Sequence, residues 1–179
     1  MATYANILEA VGRTPLIRLN RIAAEVASPI YAKVEALNPG GSVKDRVALA
    51  MVAAAEREGF LRPGGTIVEA TAGNTGVGLA LAAAMKGYRM IAVMPDKMSE
   101  DKVSLLRAYG AEVVVTATNV PPDSPESYNG VADRLAREIP GAWRPNQFEN
   151  PRNPSAHAAT TGPESWEDPA GQVEVVGGG

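Results

Sequence analysis

An α/β fold on a parallel sheet is the architecture this sequence predicts, and three observations predict it. Short runs rich in branched apolar residues alternate with longer amphipathic stretches along most of the chain. Ala and Gly are abundant while aromatic residues make up only 5%, which suits helices packed closely on a sheet. Turn residues punctuate the runs, at Asn38-Pro39-Gly40-Gly41, Arg62-Pro63-Gly64-Gly65 and Asn119-Val120-Pro121-Pro122-Asp123. With 179 residues, 45% hydrophobic and 21% charged, the chain is globular and fills one domain or one and a half small ones.

Strands are expected at Leu16–Leu19, Ile30–Val34, Thr66–Glu69, Met90–Met94, Glu112–Thr116 and Gln172–Val176. Helices are expected at Val43–Glu58, Thr75–Lys86, Ser99–Tyr109 and Pro125–Ile139. Their starts carry recognisable signals. Ser99 precedes two acids that suit the positive end of a helix dipole. Ser124-Pro125-Glu126 sets a cap before a proline at the first helical position. Tyr128, Val131, Leu135 and Ile139 then recur at spacings of three and four, and Pro140-Gly141 stops the helix. From Gly141 to Pro169 the chain turns Pro- and Asn-rich, yet Trp143, Phe148 and Trp166 are spread through it. That stretch reads as a crossover between lobes. The final Val173–Val176 run, followed by three glycines, reads as a strand entering a ligand loop.

Composition removes several classes of chemistry. A net charge of −3 gives no electrostatic reason to expect nucleic acid or an anionic membrane. The absence of cysteine excludes disulfides, thiolate catalysis and Cys-based zinc, and a single histidine, His157, excludes a multi-His metal site. Met1-Ala2-Thr3-Tyr4 carries no secretory pattern, and the longest apolar stretch, Val77 to Met85, is far too short to span a bilayer. A cytoplasmic protein acting on a small molecule, with no bound metal, is the expectation.

Two segments carry chemistry. In Asn38-Pro39-Gly40-Gly41-Ser42-Val43-Lys44-Asp45-Arg46, Ser42 and Asp45 form a capping-box-like pattern at a helix start. Lys44 then falls in the first turn, where a cation is disfavoured by a few tenths to about 1 kcal/mol. A field that favours the neutral amine suits a Schiff-base lysine; the alternative is a solvated surface lysine. No Gly immediately precedes Lys44 and no Ser or Thr follows it, so the segment is not a Walker A loop.

In Glu69-Ala70-Thr71-Ala72-Gly73-Asn74-Thr75-Gly76-Val77-Gly78, small residues between strand and helix let a ligand approach free N–H groups. Such a turn wants a carboxylate or a phosphate, and Asn74 adds a directed amide. The alternative is a Gly-rich turn that serves helix–strand packing. The G-x-G-x-x-G order of a dinucleotide site is absent. His157 reads as a structural group, and Gln147 alone would pass as loop polarity.

Together these segments resemble the fold-type II pyridoxal-phosphate enzymes of the cysteine synthase and cystathionine β-synthase family, whose fold is tryptophan synthase β-like with three layers around a parallel sheet. Gly12-Arg13-Thr14-Pro15-Leu16 looks like the family's G-x-T-P-L opening, and the run ending at Arg46 like its lysine motif. Thr71-Ala72-Gly73-Asn74-Thr75-Gly76 resembles the T-S-G-N-T-G loop, and Asn150 to Thr161 the N-x-x-N-P-x-x-H-x-x-T-T segment. The resemblance implies that Lys44 holds pyridoxal 5′-phosphate covalently and then moves the Cα proton. Asn74 would hydrogen-bond the cofactor's 3′-oxygen. Thr71, Ala72, Gly73, Asn74, Thr75 and Gln147 would bind the substrate, clamping its α-carboxylate. Ala72 departs from the family's Ser.

The implied chemistry is β-replacement on serine or an activated serine in sulfur amino-acid metabolism. The stretches Val93–Lys102 and Asn119–Ile139 look more like cystathionine β-synthases, which join serine and homocysteine, than like cysteine synthases, which use O-acetylserine and sulfide. Residues 1–40 would belong to the larger lobe, 41–150 would form the smaller one, and 151–179 the crossover and start of the larger. The family's phosphate-gripping loop and its later pyridine-facing Ser have no counterpart within the 179 residues, so the expected architecture is a truncated one. The chain alone is accordingly expected to be a weak catalyst, with Ile17, Ile30 and Val175 uncovered. A non-catalytic fragment that binds a carboxylate or a partner chain is the rival reading; the full-length family would be homodimeric.

Overall fold

The computed structural model describes residues 3–71 and 73–178. A four-stranded parallel sheet in the order β5-β4-β3-β6 forms its centre, from β3 (Thr66–Ala70), β4 (Arg89–Pro95), β5 (Glu112–Thr116) and β6 (Ala142–Trp143). Val68 of β3 pairs with Ile91 of β4, Val93 of β4 with Val114 of β5, and Thr66 of β3 with Ala142 of β6. All five residues of β3 are buried, as expected of a parallel strand covered on both faces. A separate antiparallel pair, β1 (Leu16–Arg18) with β2 (Tyr31–Lys33), lies before them in the chain.

The alternation along β3 and β4 divides the core in two. Ile67, Met90, Ala92 and Met94 pack with Val47, Met51 and Val52 of α1 (Lys44–Glu58), Leu79 and Ala83 of α2 (Asn74–Lys86), and Leu106 of α3 (Glu100–Ala108). Val68, Ala70, Ile91 and Val93 face the other way, onto Val131 and Ala132 of α4 (Tyr128–Glu138). Three layers result: helices, sheet, helix.

Helix starts differ from the expected ones for local reasons. Ser127, not Ser124, caps α4, its Oγ accepting from the Gly130 N–H at 3.0 Å. Ser124 and Pro125 instead form a turn folded over Gly130, where a Cβ would lie 2.5 Å from the Ser124 carbonyl oxygen. The helix therefore begins at Tyr128. The capping box at Ser42 and Asp45 does not form either. Ser42 Oγ accepts from the Lys44 N–H at 3.1 Å, while Asp45 reaches back to the Gly40 N–H at 2.5 Å. Ser99 stands at the N-cap of α3 without a side-chain bond.

Two larger differences concern the last forty residues. The Pro-rich stretch carries a nearly continuous helical run: α5 (Arg152–Ala156), a π-turn (His157–Thr161) and α6 (Gly162–Glu167). Pro151, Pro154 and Pro163 each stand in a first helical turn, where a missing N–H costs nothing. Gln172–Val176, expected as a strand, is irregular, with every residue exposed but the half-buried Val173. A strand needs a ladder partner, and no described strand lies beside it. Ile17, Ile30 and Val175 are exposed.

Candidate active site

The chain builds β3, β4 and β5 outward, then returns to place β6 on the opposite side of β3, so strand order reverses between β3 and β6. In open parallel sheets, ligands bind outside the carboxyl ends of the strands at such a reversal. The residues that leave these two ends are Thr71–Thr75, after β3, and Arg144–Gln147, after β6. They meet. The Thr75 hydroxyl donates to Gln147 Oε1.

Glu69 holds the second loop. It lies on β3, is 2% exposed, and accepts from the backbone N–H of Asn146 at 2.8 Å and of Gln147 at 3.4 Å. Burial pushes its carboxyl up, and the two N–H groups act against that rise. Asn146 adopts φ +45°, which turns its N–H and the next one toward the same acceptor. Asn153 Nδ2 adds a bond to the Gln147 carbonyl at 3.1 Å.

The first loop is set from within. Thr71 is buried, and its hydroxyl accepts from the Gly76 N–H at 3.0 Å and more weakly from the Gly73 N–H at 3.4 Å. That leaves its proton to donate. Gly73 is half-buried, and the Asn74 side chain is exposed at the first residue of α2. Ala72 lies outside the described residues.

Lys44 arrives from α1. Gly78, one turn into α2, packs on the first turn of α1: a Cβ there would lie 2.9 Å from Ala48 Cβ and 3.1 Å from the Lys44 carbonyl oxygen. Only glycine lets the two helix starts approach so closely, which brings the Lys44 end of α1 beside the Asn74 end of α2. Lys44 is half-buried and the first residue of its helix, and its side chain pairs with no described residue. Lys33 and Lys86, by contrast, are tied to Glu164 at 3.0 Å and Glu56 at 2.8 Å. Asp45, next to Lys44, is buried with one carboxylate oxygen unpartnered, and burial pushes its carboxyl up.

Arg46 is the other buried ion. Its guanidinium bonds Glu35 at 2.8 and 2.9 Å and Glu164 at 2.6 and 2.7 Å, and reaches the Thr14 hydroxyl at 3.2 Å. Burial alone would pull the guanidinium toward neutrality; the two carboxylates more than reverse that. Glu164 is held down to about 2, first by its Arg46 hydrogen bonds. Burial works to raise Glu35, but bonds from Arg46, Thr14 and Asn38 together hold it below the usual range. This hub joins the N-terminal segment and α6 to α1 just past Lys44. His157 Nδ1 lies 3.0 Å from Thr161 Oγ1. Burial first, and then the charges of Lys44 and Arg46, push its imidazole below the ordinary range.

The arrangement thus offers an amine unpaired among the described residues, an exposed amide, and the N–H groups of Asn74 and Thr75, which donate to no described residue. Residues 7–179 match the family described as "Pyridoxal-phosphate dependent enzyme". The chain belongs to that family. Cystathionine beta-synthase of Rattus norvegicus is 53% identical over 173 residues, covering 96% of this chain and 31% of the rat protein. Cysteine synthase 1 of Emericella nidulans is 51% identical over 169 residues, covering 94% of this chain and 45% of its own. The crystal structure of a hydrogen sulfide-producing enzyme from Fusobacterium nucleatum superposes with TM-score 0.90 at 38% identity, over 97% of this chain and 56% of that one. The chain therefore spans between about a third and about half the length of these relatives. The three-layer parallel fold is the fold-type II one.

Pyridoxal phosphate is the cofactor of this family. The residues present fit its reactive end: an amine with no ion-pair partner among the described residues at the start of α1, and an exposed amide at the start of the neighbouring α2. Among the described residues, Gly177 and Gly178 form no closed phosphate cradle: Gly177 is exposed and a Cβ on either would meet nothing within 4 Å. Among the described residues no cluster of three or more His, Asp or Glu could hold a metal, and no helix is long and apolar enough to cross a membrane. Sequence reasoning passed over Glu69, Glu35, Arg46 and Glu164. An acid inside an otherwise apolar strand was the available signal for Glu69.

Proposed function

We propose that this protein performs pyridoxal-phosphate-dependent β-replacement on serine or an activated serine, in the manner of cystathionine β-synthase, with homocysteine as the incoming thiol. The observation that carries the reading is the meeting of the Lys44 end of α1 with the Thr71–Thr75 turn and Gln147 where strand order reverses. When bound, the cofactor supplies an electron sink that acidifies the substrate Cα–H and lets the β-substituent leave. Lys44 holds the cofactor through its amine and afterwards takes and returns the Cα proton at Nζ. Asn74 donates its amide to the cofactor ring's oxygen. The N–H groups of Asn74 and Thr75, the Thr71 hydroxyl and the Gln147 amide receive the α-carboxylate, favoured there by the positive end of α2. Residues 41–150 form the lobe that carries this machinery, with 1–40 and 151–179 contributing to the larger one.

The second reading is the cysteine synthase reaction, O-acetylserine with sulfide, supported by the 51% identity to the Emericella nidulans protein. We propose a cytoplasmic location and homodimeric assembly, as the family resemblance implies. Incubating cofactor-loaded protein with serine plus homocysteine, and separately with O-acetylserine plus sulfide, distinguishes the readings by mass spectrometry. Cystathionine from the first mixture supports the first reading; cysteine from the second alone replaces it. Neither product, with the cofactor retained, favours the non-catalytic reading, in which this chain binds a carboxylate without turning it over.

A further inference from the structure

We propose that Glu69 is the positioning residue of the candidate site: it anchors the Asn146–Gln147 turn so that the Gln147 amide stands at the start of α2, ready for a substrate carboxylate. The proposal deepens the reading of that turn as an amino-acid carboxylate site and rests on it. Glu69 is 2% exposed, between Val68 and Ala70 on a fully buried strand, where a carboxylate is costly unless its oxygens are satisfied. Its partners are two successive backbone N–H groups, at 2.8 and 3.4 Å, one per oxygen. The left-handed φ of Asn146, +45°, makes that pair convergent, forming a concave anion nest filled by the chain's own carboxylate. The other charges bearing on Glu69 are the Arg144 guanidinium, which favours its ionised form, and Asp133, which opposes it.

Two donors need two acceptors, which explains why a carboxylate stands here rather than an amide. With the backbone of Gln147 fixed, Thr75 donates to Gln147 Oε1. That fixes the amide's orientation and leaves its Nε2 group, which donates to no described residue, for a ligand anion. Glu69 acts on substrate only through Gln147.

Glu69→Gln is the sharp variant. It keeps shape and volume, removes one acceptor, and sets an NH2 group against an N–H. The test uses ¹⁵N-labelled protein, following amide exchange at Asn146 and Gln147 without ligand and then the Gln147 side-chain NH2 signal during L-serine titration. Glu69→Gln should speed exchange at both residues by about tenfold and weaken L-serine by about tenfold, while Val68 and Ile91 exchange as in the unaltered protein. Glu69→Asp, which keeps both acceptors on a shorter arm, should fall between, and it decides the matter if Glu69→Gln does not fold. Unaltered exchange at Asn146 and Gln147 in the variants overturns the positioning role, whatever L-serine does. If the unaltered protein shows no L-serine response at Gln147 while Glu69→Gln loosens the turn, the anchoring role is upheld and the carboxylate reading is what fails.

Discussion

Replacing Gly78 by alanine sets two effects of known sign against each other. In a helix interior the exchange is favourable by about 1 kcal/mol, because Gly is the worse helix former. At this position the new Cβ would stand 2.9 Å from Ala48 Cβ, 3.1 Å from the Lys44 carbonyl oxygen and 3.2 Å from Asp45 Cα. Two of those three atoms are α1 backbone, which cannot swing aside as a side-chain tip can. Relief requires α1 and α2 to part by several tenths of an ångström, through a core that includes Val47, Met51 and Leu79, all fully buried. Overpacking of this kind costs about 1–3 kcal/mol. The balance is a net loss of about 1 kcal/mol, read as a lower urea midpoint at unchanged slope by circular dichroism. Gly162→Ala is the comparison, since the nearest atom to its Cβ is the His157 carbonyl oxygen at 3.3 Å. A Gly78→Ala protein more stable than the original would show that the two helix starts are not held together by this contact.

Other expectations follow from named contacts. Arg46→Ala leaves Glu35 and Glu164 facing each other without their shared cation, and should cost about 3–5 kcal/mol in urea unfolding; a loss below about 1 kcal/mol would contradict the hub. Glu164 titrates at about 2 folded against its ordinary 4.5, so its contribution is complete above 4.5 and is lost as pH falls toward 2. Urea midpoints from pH 6 down to 2.5 should drop less steeply in Glu164→Gln, and parallel acid limbs would refute the assignment. Ser127→Ala should cost about 1 kcal/mol and Ser99→Ala close to nothing, because only Ser127 makes the capping bond; equal losses would contradict this.

The parallel strands were legible because β3, β4 and β5 are runs of branched apolar residues bounded by turns, and the Lys44 and Thr71–Thr75 segments because both lie in local helix-start patterns. Proline hid the secondary structure of the 141–169 stretch: no helix was expected there, yet Pro151, Pro154 and Pro163 stand at or just inside helix starts, where they are tolerated. The alternating valines of Val173–Val176 suggested a strand, but pairing depends on a neighbour that local sequence does not reveal. Long-range ions were the least accessible. Glu69 meets Asn146 across 77 residues and Arg46 meets Glu164 across 118, and no spacing rule links such positions. Their burial gave the roles away only once the fold had brought the partners together.

If Lys44 holds the cofactor, borohydride reduction will fix the cofactor to it. The protein is incubated with pyridoxal 5′-phosphate, reduced with borohydride, digested, and its modified lysine located by mass spectrometry. Lys44 alone among the described lysines sits at a helix start beside the Asn74 turn with no ion-pair partner, whereas Lys33 and Lys86 are held by carboxylates. The label is expected on Lys44 and to be lost in Lys44→Ala. Label on Lys33 or Lys86, or labelling unchanged in Lys44→Ala, would contradict the assignment.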